Sequence, residues 1–133
     1  MVYSEEVLNE FFNPQNVGVI KGASGKGKIV TAENREIFKI YIQVEDGKIV
    51  DAKFQTFGCT ASIAATSKAT SMIIGKTLDE ANAITAKDIL KVLGGKLPEG
   101  KEYCVATAEE TIKNAIANYY KKSKGEKDLD DED

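Results

Sequence analysis

Two cysteines, Cys59 and Cys104, are the residues of this 133-residue chain whose types best suit them to chemistry. The sequence contains no histidine, which excludes Cys-His nucleophilic pairs, Ser-His-Asp triads and imidazole metal ligands. Thiolates, carboxylates, lysines and backbone amides are left for any catalytic or binding role. Cys59 lies in FGCTASIAATS, between a glycine and a run of small residues, and Cys104 lies in EYCVATAEE.

Each cysteine is predicted to lie at the start of a helix. The residues after Cys59 have helical spacing up to Gly75, and apolar residues recur at helical spacing from Cys104 to about Lys121. Backbone amides and the positive end of the helix dipole stabilise an anion there, which favours the thiolate. The alternative is that Cys59 and Cys104 are small core residues, since free cysteine is among the most buried residue types. Two thiols form no recognised metal motif by themselves.

The segment before Cys59 is predicted to form an antiparallel sheet of three strands. Apolar residues alternate with polar ones from Phe38 to Val44, and the alternation resumes after Asp46-Gly47 up to about Phe57. An Asp-Gly pair between two such runs is typical of a tight hairpin turn. A further strand is expected to begin near Lys28.

Along the sequence, helices are predicted both before and after these strands. Ser4 is expected to cap a helix that ends before Asn13-Pro14. Thr77 and Thr85 each precede an acidic residue by three positions, which indicates two short capped helices, the second closed by Gly94-Gly95. The whole pattern predicts an α+β fold with the helices packed on one side of a small sheet.

Residues 22–28 match part of the phosphate-binding loop motif. GASGKGK satisfies GxxxxGK, but the next residue is Ile29 rather than Ser or Thr, and a strand follows instead of a helix. We therefore expect no nucleotide site here, and interpret the segment as a mobile, solvated loop.

The composition argues against nucleic acid and membranes as ligands. The chain has 18 basic and 21 acidic residues and a net charge of -3, and its lysines form no basic patch interleaved with aromatic residues. No apolar run approaches the ~20 residues that span a bilayer, and the N-terminus lacks the layout of a secretory signal. We expect a soluble cytoplasmic protein.

One domain is expected over residues 1–121. A chain of 133 residues is long enough to bury about 70% of the surface that its unfolded form exposes. Residues 122–133, KSKGEKDLDDED, contain one apolar residue among many charges. That composition is typical of a disordered acidic tail.

Four segments of the chain resemble the iron-sulfur cluster assembly scaffold family, which comprises the IscU proteins and the N-terminal domain of NifU. They are YSEEVLNEFFNPQNVG, DAKFQTFGCTASIAATS, GKTLDEA and EYCVATAEETIKNAIANYY. The resemblance runs from Tyr3 to about Tyr120 and implies the same α+β fold. It also implies a scaffold rather than an enzyme, one that accepts sulfur from a cysteine desulfurase and binds iron or a labile 2Fe-2S cluster.

In that family three cysteines and an aspartate surround the cluster or a zinc ion. The resemblance places Cys59 at the second cysteine and Cys104 at the third, the sulfur acceptor. Asn34-Arg35-Glu36 falls where the family has Cys-Gly-Asp, so the first ligand cysteine is missing. Tyr103 stands where a histidine is expected, and Leu97-Pro98-Glu99-Gly100-Lys101 departs from the Leu-Pro-Pro-Val-Lys segment that a dedicated chaperone reads in many members.

The resemblance therefore predicts a site made of Cys59, Cys104 and Glu36, with the two cysteines close together at one end of the sheet. Thiolates normally hold iron-sulfur clusters in sets of four, which leaves three alternatives. Two chains pool their cysteines in a homodimer, one chain holds a metal with an open position, or cluster binding is lost. In the last case the chain is a regulator of a desulfurase. A further hypothesis is that the chain is a sulfur carrier that passes a persulfide from Cys104 to another acceptor. The implied partners are the desulfurase, an iron donor and recipient apoproteins.

Overall fold

The computed structural model describes residues 2–125, which form five helices and three strands. The strands are consecutive in the chain, and one helix precedes them while four follow, as the sequence pattern predicts. The elements are α1 (Glu5–Phe12), β1 (Gly25–Val30), β2 (Ile37–Glu45), β3 (Lys48–Phe57), α2 (Thr60–Ile73), α3 (Leu78–Asn82), α4 (Ala86–Val92) and α5 (Tyr103–Ser123).

The three strands form an antiparallel sheet in the order β1-β2-β3. The predicted hairpin turn joins β2 to β3, where Asp46 and Gly47 have φ angles of 53° and 76°. Positive φ at both central residues is the geometry that the Asp-Gly pair favours, because it matches the twist of the flanking strands. The predicted apolar face is present, since Phe38, Ile40 and Ile42 are all fully buried, but Tyr41 on the opposite face of β2 is buried as well, at 2% exposure.

The helices pack on one face of the sheet and share a single core with it. Ile40 and Phe54 of the sheet lie in the same cluster of buried residues as Ala64 of α2 and Ile112 of α5. Helix α2 is more buried than a single apolar face would require, because nine of its residues, mostly Ala, Ser and Thr, are inaccessible to solvent. Small residues allow close packing from several sides, so α2 is the central helix of the fold.

The interpretation of residues 22–28 as a solvated loop is wrong for its second half, because Gly25–Val30 is strand β1. Gly25 and Gly27 lie directly under α5. A Cβ atom on Gly27 would stand 2.3 Å from the Thr111 carbonyl oxygen and 2.7 Å from the Ala115 nitrogen. The glycines are therefore sites of close approach between a strand and a helix, a role that glycine has within strands.

Hydrogen bonds and an ion pair hold α1 in place. Ser4 is the predicted N-cap, and its Oγ accepts from the Val7 N–H at 3.1 Å and donates to the Leu93 carbonyl at 2.6 Å. The buried carboxylate of Glu10 accepts a hydrogen bond from Ser67 of α2 at 2.5 Å and pairs with Lys68 at 3.1 Å. These contacts tie α1 to α4 and to α2.

The predicted caps of α3 and α4 are also present. Thr77 forms a capping box with Glu80, and Thr85 forms one with Asp88. Gly94 and Gly95 follow α4 with φ angles of 97° and 87°, which is the left-handed backbone that closes many helices.

The outer edge of β3 is occupied by two other segments of the chain. The Phe54 N–H donates to the Asn16 carbonyl, and the Gly18 N–H donates to the Phe54 carbonyl, both at 2.9 Å. Further along, the Ile49 N–H donates to the Lys76 carbonyl at 2.9 Å, and the Gly75 N–H donates to the Ile49 carbonyl at 2.7 Å.

Helix α5 continues to Ser123, two residues beyond its predicted end. The rest of the predicted tail, from residue 126 onward, lies outside the described residues. Within residues 2–125, no helix combines the length and the apolar character that crossing a membrane requires.

The close packing of β1 under α5 predicts that Gly27→Ala destabilises the fold. The added methyl group must displace the α5 backbone, and overpacking of this kind costs about 1–3 kcal/mol or more. Chemical denaturation followed by circular dichroism measures the loss in free energy of unfolding. Lys28→Ala is the matched control on the exposed side of the same strand, with an expected change within about 0.5 kcal/mol. Equal stability of Gly27→Ala and the parent would contradict this packing.

Candidate metal centre

Strand pairing brings Glu36 next to Cys59. Glu36 immediately precedes β2 and Cys59 follows β3 by two residues, and Ile37 at the start of β2 pairs with Phe57 at the end of β3. Antiparallel strands place the start of one beside the end of the other. The carboxylate and the first thiol are therefore held at the same end of the sheet.

Helix α5 brings the second thiol to the same place. Cys104 lies in the first turn of α5, and Cys59 is the N-cap of α2. One ligand atom each from Glu36, Cys59 and Cys104 lies within 4.8 Å of the others. The expectation that the two cysteines lie close together is confirmed, and these three residues form the one such group among those the structure describes.

The carboxylate of Glu36 is buried and fully oriented by hydrogen bonds. Its Oε1 accepts from the Tyr103 hydroxyl at 2.8 Å and from Ser62 Oγ at 2.9 Å, and its Oε2 accepts from the Cys59 N–H at 3.0 Å. Burial by itself raises the pKa of Glu36, but these hydrogen bonds outweigh it and hold the pKa below the ordinary value. Glu36 is therefore held as a charged carboxylate, with about one of its four lone-pair positions left open.

Gly58 explains why the chain can turn from β3 into the site. A Cβ atom at Gly58 would stand 2.9 Å from the Glu36 carboxylate and 3.0 Å from the Ser62 Cβ. The absence of a side chain therefore makes room for the carboxylate beside the Cys59 N–H. Glycine before the cysteine has a packing role here in addition to any role in approaching a ligand.

The helix-start position lowers the pKa of one cysteine and not of the other. Burial and the negative charge of Glu36 raise the pKa of Cys59, but the Ser62 hydroxyl and the N–H groups of the first turn of α2 outweigh them, so its pKa lies below the ordinary thiol value. Burial raises the pKa of Cys104 to about 12, and the Ser62 hydroxyl offsets part of that rise. Cys59 is half-buried, whereas Cys104 has no exposed surface.

Ser62 and Lys101 also belong to this site, although neither was selected from the sequence. Ser62 Oγ lies 3.3 Å from Cys59 Sγ and 3.4 Å from Cys104 Sγ. Its spacing of three from Cys59 on a helix is the signal that could have found it. The charge of an ionised Cys59 raises the pKa of Lys101, which places that ammonium near the thiol and offers a positive charge to an otherwise anionic centre.

Two residues of the Asn34-Arg35-Glu36 segment lie outside this group. Asn34 is exposed on the connection between β1 and β2, and Arg35 follows with a φ of 54°. The connection is closed by three hydrogen bonds of Thr31. Its N–H donates to the Glu36 carbonyl, its hydroxyl accepts from the Glu36 N–H, and its carbonyl accepts from the Arg35 N–H. This turn aims the Glu36 side chain inward and leaves Asn34 at the surface.

The donor set fits a transition-metal ion or iron-sulfur cargo. Two sulfur donors and one carboxylate suit zinc and iron, while the harder cations Ca²⁺ and Mg²⁺ favour all-oxygen sites. The Tyr103 hydroxyl donates a hydrogen bond to the Glu36 carboxylate. A hydrogen bond of this kind fixes the orientation of a metal-binding carboxylate. Three candidate ligands from one chain would leave the fourth position of a tetrahedral metal open.

Comparisons with known proteins give matches over most of the chain. The family model of the NifU-like N terminal domain matches residues 2–126. The iron-sulfur cluster assembly scaffold protein IscU 1 of Archaeoglobus fulgidus is 43% identical over 122 residues, covering 92% of this chain and 79% of the relative. The scaffold protein IscU of Escherichia coli is 42% identical over 126 residues, covering 92% and 97%.

A solved structure shares the fold at a lower level of sequence similarity. The N-terminal part of a NifU-like protein from Brucella abortus superimposes with a TM-score of 0.70 at 17% identity, covering 90% of this chain and 94% of that one. The arrangement of sheet and helices thus extends across distant sequences.

The contrast between the two thiols predicts their order of reaction with a small alkylating reagent. In the metal-free folded protein near neutral pH, iodoacetamide should modify Cys59 more than about tenfold faster than Cys104, because Cys59 is accessible and more readily ionised. Peptide mass spectrometry over time measures both rates. In denaturant the two rates should converge, which is the internal control. Faster alkylation of Cys104 in the folded protein would contradict the described burial.

Proposed function

Because the chain belongs to the NifU-like N-terminal domain family, we propose that it is a scaffold for iron-sulfur cluster assembly whose cargo is held by Cys59, Cys104 and Glu36. The observation that carries this proposal is the convergence of the three ligand atoms within 4.8 Å. The residues come from three separate parts of the chain, and the fold brings them together at one end of the sheet. The cargo is iron, or a labile 2Fe-2S cluster, and zinc suits the same donors.

The site is better suited to one chain than to a pair of chains. Cys104 has no exposed surface, and its sulfur faces Ser62 within the protein. Pooling four thiolates in a homodimer would require each chain to present this buried sulfur to its partner. The three converging ligands of a single chain, with a fourth position open, need no such rearrangement.

The sulfur for the cluster is proposed to come from a cysteine desulfurase and to be accepted by Cys104. In the described conformation Cys104 is buried, so the residues that cover it must move before a persulfide can reach this thiol. The half-buried Cys59 is accessible without such a movement. This exposure makes Cys59 the alternative residue to receive sulfur first. An iron donor and recipient apoproteins complete the proposed set of partners.

Anaerobic reconstitution tests the scaffold proposal directly. The parent chain with iron and sulfide should bind both, with a thiolate-to-iron charge-transfer absorption, whereas Cys59→Ser and Cys104→Ser should each lose most of the bound iron and sulfide because each removes one of two sulfur ligands. Elemental analysis and the absorption spectrum measure the outcome. Binding that is the same in the parent and in both variants would contradict the assigned site.

The variant Asn34→Cys separates a weak scaffold from a chain that has lost cluster binding. A thiolate at this position supplies the family's missing first ligand, so reconstituted iron and sulfide per chain should exceed those of the parent. If the parent binds none and Asn34→Cys binds none, the site has no cluster function. A regulator that binds the desulfurase, or a persulfide carrier, is then the better description.

The identity of the sulfur acceptor is tested by incubating the chain with a cysteine desulfurase and cysteine. We expect the stable persulfide on Cys104, detected by mass spectrometry as a mass increase of one sulfur atom on its peptide. Cys59→Ser should keep this label if Cys104 accepts sulfur directly. A label that lies on Cys59 in the parent, and that disappears from the chain in Cys59→Ser, would assign the accepting role to Cys59.

A further inference from the structure

Ser62 lies at the centre of the three ligands. Its side chain is fully buried, and its Oγ lies 2.9 Å from Glu36 Oε1, 3.3 Å from Cys59 Sγ and 3.4 Å from Cys104 Sγ. A buried hydroxyl that contacts all three ligand residues is an unusual use of a helix position that a small apolar residue could fill equally well. The neighbouring buried positions Ala61, Ala64 and Ala65 show what such a packing role requires.

The hydrogen-bonding capacity of this hydroxyl is fully used in the metal-free site. A serine has one donor and two acceptor lone pairs. Its proton is directed at Glu36 Oε1, which as a carboxylate can only accept. The oxygen also lies within hydrogen-bonding distance of both sulfurs, and in each of these two contacts either atom can be the donor. Metal binding requires both thiols to lose their protons, and a Ser62 hydroxyl that keeps its proton on Glu36 then has both lone pairs available while the oxygen stays in place.

We propose that the Ser62 hydroxyl supplies the fourth protein ligand to the metal held by Cys59, Cys104 and Glu36. This inference rests on the proposed function, and it identifies what fills the position left by the missing first cysteine. The hydroxyl keeps its hydrogen bond to Glu36 and turns a lone pair from the thiols to the metal, in the way that a serine or threonine hydroxyl binds a metal in phosphate-binding loops. The resulting donor set is two sulfur and two oxygen atoms.

The distances between the donors agree with four-coordinate geometry. A sulfur about 2.3 Å and an oxygen about 2.0–2.2 Å from one tetrahedral metal lie about 3.5 Å apart. The observed separations of Ser62 Oγ from the two sulfurs are 3.3 and 3.4 Å. Glu36 Oε1 accepts hydrogen bonds from Ser62 and Tyr103, so the lone pair of Glu36 that stays open for a metal lies on Oε2. Relative to the sulfurs, the hydroxyl therefore needs to move by a few tenths of an ångström.

Other nearby residues are less suited to this role. The Tyr103 hydroxyl is directed at Glu36, and Lys101 carries a protonated amine, which has no lone pair to offer. Asn34 is exposed on the loop before β2. Ser62 combines a free lone pair after deprotonation of the thiols with a position already in contact with each of the three ligand residues.

The inference is tested with Zn²⁺ and Co²⁺ added to the metal-free protein under anaerobic conditions. Ser62→Ala should lower the affinity for both metals by at least about tenfold. It should also change the Co²⁺ visible spectrum, because one oxygen ligand is replaced by water or lost. Ser62→Cys should bind Co²⁺ more tightly than the parent and add thiolate-to-cobalt charge-transfer intensity, because a third thiolate occupies the ligand position. Thermal denaturation of each metal-free variant confirms that it is folded.

Thr66→Val is the matched control. Its hydroxyl is buried in the same helix and donates to the Ser62 carbonyl at 2.7 Å, so this variant removes a neighbouring hydroxyl and leaves the donor set intact. Its affinity and Co²⁺ spectrum should match those of the parent. If the parent binds metal and neither Ser62 variant alters the Co²⁺ spectrum, Ser62 is no ligand, although the scaffold proposal stands. If the parent binds neither metal, nor iron with sulfide, the proposed function itself fails.

Discussion

The buried carboxylate of Glu36 is the constraint on which this end of the molecule depends. A charge removed from water must be matched by hydrogen bonds, and Glu36 obtains them from the Cys59 N–H, from Ser62 and from Tyr103. These donors lie at the starts of α2 and α5, so solvating one side chain fixes two helices relative to the sheet. The two thiols begin the same helices. Their separation is therefore set by the requirements of a single charge.

The rest of the fold makes this arrangement sterically feasible. Helix α2 is lined by Ala, Ser and Thr, which lets it pack against α1, α5 and the sheet at once. Gly25 and Gly27 bring β1 into contact with the α5 backbone. Gly58 leaves room for the Glu36 carboxylate beside the start of α2. Small residues at these points allow the three chain segments to approach until one candidate ligand atom from each lies within 4.8 Å of the others.

Much of this structure can be predicted from local signals in the sequence. The Asp46-Gly47 turn, the Ser4 cap and the two capping boxes each depend on a few adjacent residues, and all were predicted correctly. Strand β1 was partly missed because its glycines show no apolar alternation, and the reason for them lies in α5, more than 80 residues later in the chain. Long-range packing of that kind leaves little trace in local patterns.

The site was predicted unevenly for the same physical reason. Resemblance to a family indicated Cys59, Cys104 and Glu36, and the fold brings them together. The pKa of Cys104 was not predictable from its helix-start position, because its burial depends on how α5 packs against α2. Ser62 was overlooked although it lies one helical turn from Cys59. A pattern of residue types shows which groups are available, whereas the desolvation and contacts of each group depend on the tertiary structure.

The covered edge of β3 has a consequence for how a protein partner can bind. An exposed strand edge is a template to which another chain can add a strand through its backbone. Between Ile49 and Phe54 that template is already used, since residues 16–18 and 75–76 accept and donate the outward-facing hydrogen bonds. The Ala52 N–H between them is bonded to the Asp51 side chain at 2.9 Å. A partner that binds along this stretch therefore has to recognise side chains, which makes binding sensitive to surface substitutions. The covered backbone also protects this edge of the sheet from edge-to-edge aggregation.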